Sequence, residues 1–264
     1  MFGYYIRRIF KSPVFVGCVI LQAGLMAFSV HADLKVRWDG SSDASLMYFL
    51  WLVEYYFPMM LIHTVAAVPF LFFFVEELET RAIYYQVIRS NRKIRSYYIG
   101  QAVSALLSSA AVAALSILLY TVCCHLCGAG WKTCDSMQHF FCGTYFEEQI
   151  QRSEAPVYFL HALSVVNYVA PWVLFGALAS LISKNRYLIF AAPYLVFMFS
   201  NYLMQFFNVY QFSPVCTILH ENRERMSDFG GGIFYNLIYN TIFSLILVTI
   251  YCVISERRFQ HEGI

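Results

Sequence analysis

The chain has 264 residues, of which 59% are hydrophobic and 19% aromatic but only 13% charged, with a formal net charge of +2. One soluble core of that length cannot hide so many apolar side chains, and the near-neutral balance gives no footprint for nucleic acid. The composition instead predicts an all-α integral membrane protein, a single domain over residues 1–264.

A helix rising about 1.5 Å per residue needs roughly 20 apolar residues to cross a hydrocarbon core of about 30 Å. Ahead of any such run, MFGYYIRRIFKSP sets Phe2, Tyr5, Ile6, Ile9 and Phe10 at helical spacing against Arg7, Arg8 and Lys11. That pattern fits a helix lying in the inner interface, where cations meet anionic headgroups, and equally a simple orientation signal. Six spans follow, at 14–30, 46–75, 97–123, 157–182, 187–209 and 233–254. The second is long enough to tilt or to project, and only SKNR separates the fourth from the fifth. A basic start, an apolar run and SVHAD also suit a signal peptide cut after Ala32, although the 17 residues from Val14 to Val30 exceed the roughly 7–15 of such segments.

Lys and Arg near span ends are retained on the cytoplasmic side. Twelve of them fall on one side of this layout: Arg7, Arg8, Lys11, Arg81, Arg89, Arg92, Lys93, Arg95, Lys184, Arg186, Arg257 and Arg258. The other six fall on the opposite side, so both termini are expected in the cytoplasm of a multi-pass plasma-membrane protein.

After the second span comes EELETRAIYYQVIRSNRKIRSYYIGQ, which admits a chemical reading. E-E-x-x-x-R at Glu76, Glu77 and Arg81 resembles the first motif of glutamate-type intramembrane proteases, which also need histidines in F-x-x-x-H and H-x-x-x-N-like motifs on later spans. None of the seven His residues here has Phe four positions before it, and the residues four after His63, His125, His161 and His220 are Ala67, Ala129, Val165 and Glu224. Without those partners the glutamates have nothing to work with. G-x-x-x-x-G-K-[ST], G-x-S-x-G and H-E-x-x-H are also missing, so no catalytic residue is assigned and any energy source lies in another chain.

The docking reading is different. If a cytoplasmic helix begins after Val75, Glu76, Glu77 and Glu79 sit at its positive amino end, and Arg89, Arg92, Lys93 and Arg95 fall toward its carboxyl end. The segment resembles type-2 ATP-binding-cassette permeases, whose second span commonly ends in E-E-x-E-T-G before an apolar-basic helix and a G-K. The matching residues are Glu76, Glu77, Glu79, Thr80 and Gly100, with Arg81 in place of Gly and Gln101 in place of Lys. The six-span layout, the short inner turn and FSPV at 212–215 extend the resemblance to the whole chain. It implies a coupling helix, including Glu76, Glu77, Glu79, Thr80, Arg81, Arg89, Arg92 and Arg95, gripped by a separate cytoplasmic ATPase that binds ATP and Mg. It also implies pairing with a second permease chain, identical or different.

Polar residues inside spans are the default place to seek a transport path. Glu54 falls in the outer headgroup layer when about 20 residues are counted back from Val75. His63, Asn167, Asn201, Gln205 and Asn240 are better candidates, although interhelical hydrogen bonds would explain each of them as well. Pro58, Pro69, Pro171 and Pro193 fit kinks. Cys123, Cys124, Cys127, Cys134 and Cys142 cluster near the outer segment after the third span. Disulfides among Cys124, Cys127, Cys134 and Cys142, free thiols, and a zinc site including His139 all remain open there. Two function classes stay in play: an exporter permease for a peptide or other amphiphile, and a non-transporting accessory such as an immunity or scaffold protein.

Overall fold

The computed structural model describes residues 2–31, 45–54, 59–80, 94–131, 147–209 and 233–261. Ten α-helices make up nearly all of this: α1 (Phe2–Phe10), α2 (Pro13–Ser29), α3 (Leu46–Glu54), α4 (Met59–Glu79), α5 (Ile94–Leu126), α6 (Glu147–Arg152), α7 (Ala155–Val169), α8 (Val173–Ile182), α9 (Arg186–Phe206) and α10 (Ile233–His261). A 3-10 turn at Ala170–Trp172, containing Pro171, joins α7 to α8 within one long span. Among the described residues the only strand-like pairing is a single bridge between Ser45 and Gly130.

Among the described residues five helical spans are long and apolar enough to cross a membrane: Leu61–Glu79, Ile94–Leu126, Ala155–Ile182, Arg186–Phe206 and Ile233–Phe259. This is the architecture of a helical, multi-pass membrane protein. These five overlap the second to sixth expected spans. The first expected span is the 17-residue α2, about 26 Å long at 1.5 Å per residue and shorter than those five. The second, expected as one run over 46–75, takes in α3 and α4, with 55–58 outside the described residues, and α4 continues past Val75 to Glu79.

Local chemistry sets several boundaries. Ser12 caps α2 by accepting from the Val14 N–H at 3.1 Å, with Pro13 at the first helical position, where its missing N–H costs nothing. SKNR breaks the α8–α9 pair because Asn185 caps α9, its side chain accepting from the Tyr187 N–H at 3.0 Å. At the end of α5, Gly128 takes φ 94° and its N–H reaches the His125 carbonyl at 2.9 Å, a left-handed stop that a side chain would disfavour.

Helix α5 is the axis of the bundle, packed against α1, α2, α3, α4, α7, α8 and α10. Its buried face is built from small residues, Ala102, Ser104, Ala105, Ser108, Ser109, Ala113 and Ser116, which let neighbouring backbones come close without a hydrophobic drive between helices. Gly176 on α8 is a second close approach: a Cβ there would stand 2.9 Å from the Ile189 carbonyl oxygen. α9 and α10 are the least covered spans and present rows such as Leu195, Phe199 and Phe206, and Ile238, Ile242 and Leu245, outward.

Candidate functional site

The acidic triplet lies in the last turn of α4, which corrects the expectation that it opens a new helix. Carboxylates at a helix carboxyl end meet the negative pole of the helix dipole and are disfavoured there. The fold offsets this with arginines from other elements. Arg8 on α1 donates to Glu76 at 2.8 Å and to Glu77 at 3.2 Å, while its guanidinium stands 4.6 Å above the Phe73 ring. Arg186, the first residue of α9, makes a two-pronged contact with Glu79. Thr80 closes the helix by donating to the Glu76 carbonyl at 2.9 Å.

The three carboxylates differ in burial. The Glu76 side chain is 53% exposed and that of Glu79 is 43% exposed, whereas that of Glu77 is only 3% exposed. A buried carboxylate needs hydrogen bonds as well as a counter-charge. Glu77 accepts from the Tyr5 hydroxyl. Because Tyr5 has one proton and gives it to Glu77, every other group on its oxygen must donate. Tyr97 therefore donates to Tyr5 at 3.0 Å, and the Gln101 amide nitrogen does so at 3.4 Å. The Gln101 carbonyl in turn accepts from Tyr251 on α10. The donors thus run from α10 through α5 and α1 to one carboxylate on α4, all in the same sense. Burial, with Tyr97 and Glu77 adding to it, pushes the Tyr5 phenol well above its ordinary 10.0 and keeps it a donor.

At the same end of the bundle Arg258 on α10 donates to the Leu181 carbonyl, tying the last helix to the end of α8. Arg95 is exposed at the start of α5. Arg81, Arg89 and Arg92 lie outside the described residues. The site therefore joins α1, α4, α5, α8, α9 and α10 at one level. Among the described residues each carboxylate of the triplet faces an arginine from another element, and these contacts tie the helices together.

No family model, curated protein or solved structure matches this chain.

The five residues expected along a path lie on four helices, α4, α7, α9 and α10, in different surroundings. Asn167 on α7 donates to the Leu237 carbonyl at 2.9 Å and to the Thr241 hydroxyl at 3.0 Å, an interhelical clamp onto α10. Gln205 is exposed on α9, and Asn201 is buried on the same helix. Asn240 is buried, with its amide nitrogen unpaired among the described residues. His63 is fully buried between Trp172 and Phe197, ring centroids 5.3 and 4.4 Å away, and neither of its nitrogens nor the Trp172 N–H finds a partner among the described residues. Cys124 and Cys127 carry free thiols, Cys124 buried in the last turn of α5; Cys134, Cys142 and His139 lie outside the described residues. Among the described residues no cluster of three metal-ligating side chains occurs.

Sequence reasoning missed Tyr5, Gln101 and Tyr251. Gln101 was visible only as a departure from a Lys. Its signal was an uncharged, two-ended amide one helical turn after Tyr97 in an otherwise apolar run.

Proposed function

We propose that this chain is the transmembrane permease subunit of an ATP-driven exporter of the type-2 ATP-binding-cassette kind, moving a peptide or other amphiphile with a separate ATPase that binds ATP and Mg. In this reading α2 is a first crossing, α3 and α4 together form the second, both termini are cytoplasmic, and a second permease chain completes the path. The observation that carries it is the junction around Glu77. A push delivered by a motor near residues 76–95 acts on the end of α4, and through Tyr5, Arg8, Gln101, Tyr251 and Arg186 it is shared with four other helices. A solvated inner loop has no need of a carboxylate buried to this degree.

The test is copurification. The tagged chain expressed in its own cell should retain an ATPase subunit, and Glu76→Lys with Glu79→Lys should release it while the helical content stays intact. A chain that retains no ATPase overturns the reading. The engagement of Asn167 by α10 and the exposure of Gln205 favour a second reading, a non-transporting accessory or immunity protein, in which such residues serve packing alone. Proteoliposomes containing the chain with its ATPase distinguish the two, since only the first predicts ATP-dependent movement of a labelled amphiphilic peptide.

A further inference from the structure

Charge is distributed unequally between the two ends of the bundle. At the end where α1 lies, the described residues hold eight cations, Arg7, Arg8, Lys11, Arg95, Lys184, Arg186, Arg257 and Arg258, against four carboxylates, Glu76, Glu77, Glu79 and Glu256. Three of those carboxylates are consumed within the fold by Arg8 and Arg186. Arg7, Lys11, Arg95, Lys184 and Arg257 are left exposed, with no ion pair among the described residues. At the far end the described side chains are Arg152 against Glu147, Glu148 and Glu154.

The exposed cations are accompanied by exposed apolar groups. Arg7 and Lys11 are one turn apart, with Phe10 40% exposed beside them, while Tyr5 and Ile9 on the other face of α1 are buried. Lys184 stands in the α8–α9 turn between Ile182, 90% exposed, and Tyr187, 86% exposed. An acidic soluble partner would be met by cations without bulky apolar groups between them. Cations interleaved with two exposed aromatic rings and an aliphatic side chain, at the level where the apolar spans end, match the boundary between lipid phosphate and acyl chain.

We infer that the α1 end of the bundle is a docking surface for anionic phospholipid headgroups, formed jointly by α1, the α8–α9 turn, the start of α5 and the end of α10. The surface exists because Arg8 and Arg186 neutralise the acidic triplet, leaving the remaining cations to face outward. It stands independently of any transport activity.

The experiment uses the full chain, delipidated in neutral detergent, with bound molecules counted by native mass spectrometry and the unfolding temperature followed. Phosphatidylglycerol should remain bound and raise the unfolding temperature, while phosphatidylcholine and inorganic phosphate should do neither. Each exposed cation removed should weaken retention roughly fivefold, so Arg7→Gln, Lys11→Gln and Lys184→Gln together should weaken it about a hundredfold. Lys184→Gln alone, in a surface turn, keeps the test valid if the triple variant fails to fold. Arg152→Gln at the far end should leave retention unchanged. Equal retention of the two lipids overturns the proposal, as does an equal effect of Arg152→Gln. An equal response to inorganic phosphate would indicate a simple anion site instead, and displacement of phosphatidylglycerol by polyglutamate at matched charge would indicate a protein-docking surface.

Discussion

Arg8 reaches two carboxylates, and the structure assigns them unequal weight. At 3.2 Å from the nearly buried Glu77, the gross attraction at an effective dielectric of about 20 is roughly 5 kcal/mol, and desolvation removes most of it. A net coupling of about 1–3 kcal/mol remains. Glu76 is nearer, at 2.8 Å, but half exposed, so the attraction is about 1.5 kcal/mol in water and ordering two long side chains leaves about 0–1 kcal/mol. Double-mutant cycles with Arg8→Met, Glu77→Gln and Glu76→Gln isolate the two terms, and the contact with Phe73 cancels because Arg8→Met is common to both cycles. Measured by SDS-titrated unfolding in mixed micelles, the Arg8–Glu77 coupling should exceed the Arg8–Glu76 coupling by at least about 1 kcal/mol. Equal couplings, or the reverse order despite the shorter distance to Glu76, would refute the argument that burial decides the strength of this junction.

Tyr5 makes stability sensitive to alkali. Its folded pKa lies above the unfolded value of 10.0, so its contribution is complete below that pH and declines above it, by up to about 1.4 kcal/mol per pH unit; Tyr5→Phe should flatten the alkaline limb of an unfolding-versus-pH curve. His63→Leu should raise stability by about 1 kcal/mol or more in the same unfolding assay, since it removes two buried nitrogens without partners, and a loss instead would reveal a hidden hydrogen-bonding group. Gly176→Ala should cost about 1–3 kcal/mol, because the Ile189 carbonyl that its Cβ meets is backbone and cannot swing aside. Asn167→Leu should cost about 0.6 kcal/mol, the ordinary value of an interhelical hydrogen bond in a membrane.

The helical, multi-pass architecture was legible because apolar run length is a one-dimensional property, and Asn185 marked the α8–α9 break through its local capping chemistry. The acidic triplet was misplaced for a related reason. Local dipole rules favour carboxylates at a helix start, and the arginines that reverse the preference come from positions 8 and 186, far away in the chain. Gln101 looked like a mere departure because its two partners, Tyr5 and Tyr251, are separated from it by 96 and 150 residues. The path residues show the limit of reading polarity alone. Asn167 is engaged by α10 and Gln205 points out of the bundle, a distinction that depends on which side of each helix meets a neighbour.

Helices of unequal length lie side by side in this bundle. The 17-residue α2 packs along the 33-residue α5, about 26 Å beside about 50 Å. A bilayer of uniform thickness cannot match both. On the proposed layout, in which α2 is a crossing, lipid next to it must thin, or α5 must lean and carry its ends into the headgroups, and either adjustment costs fractions of a kcal/mol per ångström of mismatch. The protein thereby favours the thinner of two membranes open to it, and a bilayer thickened by longer acyl chains should press hardest on α2, the helix joined directly to α1 and its grip on Glu77.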